Sequence, residues 1–135
     1  MCSRRRVMLA AYEATFARSW GRKARAVFAS ASCPIFGRGL ADDNHAADDW
    51  STTAGGGMTT AGVGGPMTGR GANLLIIDDP VKNAEEALSQ TTRNNHWDWW
   101  QSTASTRLEP GGVVIGIMTR WHEDDIFGRL LKGGG

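Results

Sequence analysis

Two adjacent carboxylates, Asp78 and Asp79, follow a run of four aliphatic residues from Leu74 to Ile77. A buried strand that ends in two acids is the pattern of a Walker B motif. In that motif the first carboxylate helps to hold Mg²⁺, and the next acidic position polarises the attacking water. A rigid strand aims both side chains in advance. Many strands also end in Asp-Asp because these residues favour turns, so a solvated strand end is the alternative.

A second polar pair, Thr119 and Arg120, follows the apolar run from Val113 to Met118. A hydroxyl at a strand end can hydrogen-bond a phosphate or its attacking water, and simple capping of the strand is the alternative. Ligands of parallel α/β sheets bind at the carboxyl ends of the strands. The sequence therefore predicts that Asp78, Thr119 and Arg120 lie close together at one end of a sheet.

The N-terminal half of the chain holds the elements that precede the Asp78 strand. The apolar run from Val7 to Ala11 predicts a strand buried on both faces. Apolar residues at helical spacing then predict an amphipathic helix; they are Tyr12, Phe16, Trp20, Ala24 and Val27 or Phe28. Asp42 to Asp49 predicts irregular chain, Trp50 to Thr60 a short bent strand or hairpin, and Ala61 to Gly71 a flexible loop.

The C-terminal half holds the elements that follow Asp79. Asn83, with Glu86 three residues later, is a capping-box pattern at the start of a helix that Pro110 and the glycines after it should end. Its apolar stripe is Trp97, Trp100, Ala104 and Leu108, with Trp99 expected to face elsewhere. The acids Glu123 to Asp125 suit the first turn of a last helix. This alternation of strands and helices predicts an α/β fold with a parallel sheet.

The composition is that of one globular domain. The chain has 135 residues, of which 41% are hydrophobic and 21% charged, both near globular averages. No apolar run approaches the ~20 residues of a membrane span, and no secretory signal is visible. Cys2 and Cys33 form neither a disulfide framework nor a metal cluster, which favours a cytoplasmic setting.

Charge is distributed unevenly along the chain. Residues 1–40 carry eight Lys and Arg against one Glu, a net charge of +7, whereas the remainder carries seven basic and thirteen acidic residues, a net charge of −6. A basic segment of this kind favours contact with phosphate or with an acidic surface. The alternative is a solvated helix face.

Three segments taken together resemble the ATPase domain of tailed-phage terminase large subunits, the motors that package DNA into a prohead. They read GVGGPMTGRGANLLIIDDPVKNAEEA, WDWWQSTASTRLEPGG and VVIGIMTRWHEDD, and the resemblance extends from about Arg6 to Leu131. It implies a partial P-loop NTPase of the ASCE type, with flanking helices and residues 1–135 as one partial ATPase domain. It also implies that strand 74–78 lies between strands 7–11 and 113–118, which leaves the edge of strand 113–118 open.

The resemblance also implies roles for individual residues. Asp78 stands in the magnesium position, and Asp79 stands where most relatives have the catalytic glutamate, with a side chain ~1.5 Å shorter. Thr119 and Arg120 belong to the coupling motif that senses the γ-phosphate of ATP. Arg70, in a glycine-rich turn, resembles a trans-acting arginine finger that stabilises charge in the transition state.

Parts of the family pattern are missing from this sequence. No G-x-x-x-x-G-K-[ST] loop or variant of it is present, and no C-terminal nuclease domain follows. We therefore expect a truncated gene or gene fragment whose product does not hydrolyse ATP alone. By resemblance, its partners are double-stranded DNA, the portal protein, the terminase small subunit and neighbouring large subunits. The expected location is the host cytoplasm, transiently at the prohead portal, without a membrane.

Two other functions remain open at this stage. The first is a Mg²⁺-dependent nuclease or phosphatase that uses Asp78, Asp79 and the Glu123 to Asp125 cluster as a two-metal site. Such a site needs acids that converge from separate strands. The second is a non-catalytic remnant whose basic N-terminal helix binds DNA or a protein partner, with the salt sensitivity of phosphate contacts.

Overall fold

A computed structural model describes residues 4–32, 39–67, 69 and 71–134. Within these residues, six strands form one sheet in the order β2-β3-β4-β1-β5-β6. The strands are β1 (Arg6–Ala11), β2 (Leu40–His45), β3 (Asp49–Thr52), β4 (Gly57–Gly62), β5 (Ala72–Asp78) and β6 (Leu108–Ile117). The helices are α1 (Ala14–Val27), α2 (Ala84–Leu88), α3 (Gln90–Trp99) and α4 (Ile126–Arg129).

The parallel part of the sheet contains β4, β1, β5 and β6, and β5 lies between β1 and β6 as the sequence predicts. The aliphatic strands are in close register: Leu9 pairs with Ile76, which pairs in turn with Ile115. Their near-continuous apolar sequences suit strands that are covered on both faces. The predicted order of the three strands is therefore confirmed.

The other part of the sheet is antiparallel, because β3 pairs antiparallel with both β2 and β4. The sheet is therefore mixed, which corrects the prediction of a parallel sheet. The hairpin expected over 50–60 is present as β3 and β4. The prediction of irregular chain over 42–49 is wrong for residues 42–45, where β2 pairs with β3 along the sheet edge, and holds for residues 46–48 between the two strands. An edge strand leaves one side in solvent, so Asp42 and Asp43 stay exposed while the backbone still forms a ladder.

Helix α1 packs on the sheet through small residues and through only part of the predicted stripe, since Ala24 and Phe28 contact the apolar cluster beneath the helix whereas Trp20 and Val27 do not. Its buried residues are Ala17 and Gly21, whereas the side chain of Trp20 is 43% exposed and that of Val27 65%. A Cβ atom at Gly21 would collide with the carbonyl oxygen of Ala47. The close approach of the helix to the β3–β4 side therefore rotates Trp20 outward, where Lys23 lies 4.4 Å from its ring centroid.

The helical segment after β5 begins as predicted but is then interrupted. Asn83 caps α2 by accepting a hydrogen bond from the Glu86 amide at 2.9 Å. Ser89 breaks the segment and caps α3 by accepting a bond from the Thr92 amide at 3.2 Å. The chain leaves α3 through a wider turn over 100–104, and β6 already begins at Leu108.

The burial of the tryptophans near the end of α3 differs from the prediction. Trp99 is buried and its Nε1 donates to the Gly65 carbonyl at 2.9 Å, so the expectation that it faces elsewhere is wrong. Trp100 is buried as predicted, and Trp97 is only partly buried. Leu108 and Pro110 belong to β6 rather than to the helix. Proline is tolerated there because Pro110 lies between Leu108 and Val113, where the pairing of β6 with β5 is interrupted.

Two apolar clusters cover opposite faces of the sheet. One joins Leu75 and Ile77 of β5 to Trp99 and Trp100, and the other lies under α1 and includes Leu9. On the face that α1 covers, the side chains of β6 remain exposed by 44–55%; they are Val113, Ile115 and Ile117. Within the part of the chain that the structure describes, the edge of β6 is thus open, as the resemblance implied. None of the described helices has the length and apolar character needed to cross a membrane.

Candidate functional site

The carboxyl ends of β5 and β6 bring the predicted site residues to one end of the sheet. Asp78 is the last residue of β5 and pairs in register with Ile117 of β6 and with Ala11 of β1. Thr119 and Arg120 follow the end of β6 after Met118, so they lie at the same end as Asp78. This shared position confirms the predicted placement, which follows from the parallel direction of the two strands.

Asp79 connects the ends of these two strands. Its amide donates to the Ile117 carbonyl at 2.8 Å, and its Oδ1 accepts a hydrogen bond from the Thr119 amide at 3.4 Å. Its φ of +44° makes it the one described residue other than glycine with a positive φ. This left-handed conformation is tolerated best by Gly, Asn and Asp.

The surroundings of Asp78 shift the pKa of its carboxyl group. Burial, and after it the negative charge of Asp79, raises the pKa of the Asp78 carboxyl above its ordinary value. The ionised carboxylate is therefore costly in this position, and a nearby cation would offset that cost. A half-buried carboxylate beside a second carboxylate suits Mg²⁺, which uses one or two carboxylates together with water and substrate phosphates.

Arg120 lies at the predicted end of the sheet, but its guanidinium already has partners. Its Nε donates to Oδ2 of Asp125 at 2.7 Å, and its Nη2 donates to the Glu123 carbonyl at 3.4 Å. The side chain of Asp125 is 2% exposed, and its Oδ1 caps α4 by accepting from the Gly128 amide at 2.7 Å. A phosphate contact by Arg120 would have to compete with this buried carboxylate.

Two of the three acids after Arg120, Asp124 and Asp125, pair with arginines instead of converging on Asp78. Asp124 accepts two hydrogen bonds from Arg129, at 3.1 and 2.9 Å, and Arg93 of α3 lies 3.8 Å away. The hydrogen bond from Arg129 is the main cause of a lowered pKa for Asp124. No group of three or more His, Cys, Asp or Glu side chains that could hold a metal occurs among the described residues. The two-metal alternative thus lacks its ligand set in this part of the chain.

Sequence reasoning missed the network that attaches the loop after β6 to α3. Arg129 joins Asp124 to Asn94, whose Oδ1 accepts a hydrogen bond at 2.9 Å, and Arg93 approaches Asp124 from the same helix. The role of the adjacent Asp125 was signalled in the sequence, because an aspartate directly before an apolar helix is a typical N-cap. The Arg129–Asn94 contact joins residues 35 positions apart, and Arg93 and Asp124 are also far apart in the sequence, so no local pattern predicts either contact. Arg70, the predicted arginine finger, lies outside the described residues.

Comparison with known proteins gives one family. The model of the family described as terminase large subunit, T4likevirus-type, N-terminal matches residues 3–130. No curated protein and no solved structure matches the chain. The matched residues contain all six strands and the residues at their carboxyl ends. The chain therefore belongs to the family of T4-type terminase large subunit N-terminal domains.

Proposed function

We propose that this chain is the Walker B and coupling-motif part of the ATPase of a phage or prophage DNA-packaging motor. Membership of the terminase large subunit family supports a component of such a motor. The observation that carries the finer proposal is the shared position of Asp78 and Thr119 at the carboxyl ends of adjacent parallel strands. Ligands of α/β sheets bind at that position.

Each residue at this sheet end has a role in the proposed reaction. Asp78 would hold Mg²⁺, which would neutralise charge on the transferred phosphate. Asp79 would orient the attacking water through its carboxylate, Thr119 would contact the γ-phosphate, and Arg120 would do so after leaving Asp125. Arg70 would act on the nucleotide of a neighbouring subunit.

Completion of the site requires a phosphate-binding loop, and the open edge of β6 is where its strand would fit. A flat apolar edge with unpaired backbone groups favours the addition of another strand. Beside that edge, a groove of about 430 Å³ is lined mainly by apolar side chains, among them Val114, Phe127 and Leu130. A strand on the β6 edge would therefore gain both backbone hydrogen bonds and apolar contacts.

The handedness of crossover connections predicts on which face the following helix would lie. Helix α1 lies on one face between β1 and β4, and α3 lies on the opposite face between β5 and β6. A strand beside β6 that continued into β1 would cross the sheet toward β4. The connection that leaves β1 through α1 and reaches β4 runs in the same direction. A right-handed crossover would then place its helix on the α1 face. That is the face on which Val113, Ile115 and Ile117 are exposed.

Such a helix would begin at the same sheet end as Asp78. Asp78 and Ile117 are register partners, so their side chains point to the same face of the sheet. A helix N-terminus there would offer backbone N–H groups to the β- and γ-phosphates, next to the carboxylate that holds Mg²⁺. The proposal thus accounts for the open edge, the uncovered face and the position of Asp78 together.

The chain alone is expected not to hydrolyse ATP. Without a phosphate-binding loop nothing holds the γ-phosphate in line, and positioning can supply roughly 7–11 kcal/mol of a barrier. The test is phosphate release with Mg²⁺ and ATP by the purified chain beside its Asp78→Asn variant. Equal low rates are expected, and a rate about tenfold above the variant would contradict this expectation.

A longer protein with a strand, phosphate loop and helix ahead of Arg6 provides the positive test. It should hydrolyse ATP, lose that activity on Asp78→Asn substitution, and gain activity on addition of DNA. Equal hydrolysis by the longer protein and its Asp78→Asn variant would refute the magnesium role of Asp78. The partners proposed for the assembled motor are double-stranded DNA, the portal protein, the terminase small subunit and neighbouring large subunits, in the host cytoplasm and at the prohead portal.

A further inference from the structure

We propose that Asp79 is a positioning residue that holds the turn containing Thr119 against the end of β5. The Asp79 amide donates to the Ile117 carbonyl at 2.8 Å, which completes the last pair of the β5–β6 ladder, Asp78 with Ile117. Its Oδ1 accepts a hydrogen bond from the Thr119 amide at 3.4 Å, and Thr119 lies two residues beyond Ile117, in the turn after β6. One residue thus fastens the turn after β6 through both its backbone and its side chain.

The backbone conformation of Asp79 agrees with this role. Its φ of +44° turns the chain sharply at the end of the strand, so that the amide and the carboxylate both reach β6. A non-glycine residue persists in this conformation only when its surroundings hold it there, and such residues cluster at functional sites. The two hydrogen bonds to the β6 side supply that restraint.

The length of the side chain fits a contact with nearby backbone. Aspartate commonly hydrogen-bonds backbone groups at short range, whereas a glutamate carboxylate would extend ~1.5 Å further. Only one of the two carboxylate oxygens takes part in this bond, so the second remains for the water-orienting role. The consequence for catalysis rests on the proposed function: the Mg²⁺ ligand Asp78 and the phosphate contact Thr119 would be kept at a constant separation.

The bond can be tested in the full chain without nucleotide, by amide hydrogen exchange measured with NMR. Asp79→Asn and Asp79→Gly form a matched pair, because both residues tolerate a positive φ and only Asn keeps a side-chain oxygen that accepts the bond. Exchange of the Thr119 amide should accelerate by about five- to tenfold in the glycine variant, the effect of losing one hydrogen bond. In the asparagine variant it should stay near the wild-type rate.

The amides of Leu75 and Ile77, in the middle of β5, report global stability in the same spectra. A general loss of stability would accelerate them as well, whereas loss of the positioning bond should act on the turn after β6 alone. Equal Thr119 exchange in the two variants, or an unprotected Thr119 amide in the wild-type chain, would overturn the proposal. Because no ATP is used, this outcome is independent of whether the completed domain hydrolyses ATP.

Discussion

The two edges of the sheet differ in how they meet solvent. The β2 edge carries the exposed carboxylates of Asp42 and Asp43, whereas the β6 edge exposes Val113, Ile115 and Ile117. Charged side chains on an edge strand discourage pairing with another strand, and apolar ones invite it. Among the described strands, β2 therefore has the charged side chains of a protected edge, whereas β6 does not. The candidate site lies beside the apolar β6 edge.

On the β2–β3–β4 side, the closed side of the sheet, arginines are paired with polar and acidic side chains. Arg6 is buried and donates hydrogen bonds to Ser51, Thr59 and Asp49 at 3.2–3.4 Å, while Arg18 forms a surface ion pair with Asp48 at 3.3 Å. Part of the positive charge of residues 1–40 is thus neutralised by ion pairs with aspartates of the same chain. At the β6 side the charges instead fasten the loop that follows Thr119.

The largest effect is expected from a charge on the apolar edge. We expect the wild-type chain to self-associate through β6 as its concentration rises, and Ile115→Lys to suppress this, because a charged edge side chain opposes strand pairing. Sedimentation velocity over a concentration series measures the association. The matched control is Asp42→Lys on the other edge, which should associate like the wild type. Equal association of Ile115→Lys and the control would refute the contrast between the edges.

Removal of the Arg6 side chain tests how strongly the closed side depends on its buried charge. Arg6→Ala is expected to lower the free energy of unfolding by about 2–4 kcal/mol, because it removes the packing of a buried side chain and the buried and partly buried hydrogen bonds that its guanidinium donates. Urea denaturation measures the loss. The control is Arg18→Ala at the surface ion pair, for which less than about 1 kcal/mol is expected. A loss at Arg6 no larger than that at Arg18 would contradict this assignment.

A comparable test on the open side uses two adjacent aspartates. Asp125→Ala removes both the cap of α4 and the buried partner of Arg120, and is expected to cost about 2 kcal/mol. Asp124→Ala removes a pair with Arg129 and should cost less, because the Asp124 side chain is 38% exposed against 2% for Asp125. Thermal unfolding monitored by circular dichroism compares the two variants. A larger loss of stability in Asp124→Ala than in Asp125→Ala would mean that the Asp125 cap does not stabilise this region.

The smallest effect concerns His96 on α3. Burial lowers the pKa of its imidazole, an effect that the charge of Glu86 partly opposes. The unfolded chain therefore takes up a proton at a higher pH than the folded chain, so stability falls as pH drops below the ordinary value of about 6.5. Urea midpoints at several pH values between 7.5 and 5 measure the fall, which His96→Gln should flatten. An unchanged slope in His96→Gln would assign the pH dependence to other groups.

Much of the candidate site was predictable because its signals are local. Aliphatic runs that end in polar residues predicted β5, β6 and the carboxylates at their ends, and the parallel direction then placed Asp78 near Thr119. The burial of Trp99 was not predictable in the same way. The regular helix ends at Trp99 and Leu108 already belongs to β6, so the spacing of Trp97, Trp100 and Leu108 does not describe one helix face, and tertiary packing decides which side of the helix meets the sheet.

The sequence by itself determined the three aliphatic strands, the cap at Asn83 and the order of polar residues at the strand ends. These features depend on hydrophobic period and on side chains three residues apart, so they act before any distant contact forms. Only the tertiary structure decided that residues 40–45 form an edge strand, that Gly21 rather than Trp20 meets the sheet, and that Asp79 bonds the Thr119 amide. Each of these depends on which distant segment arrives beside it, because backbone pairing and close packing are satisfied between elements and not within them.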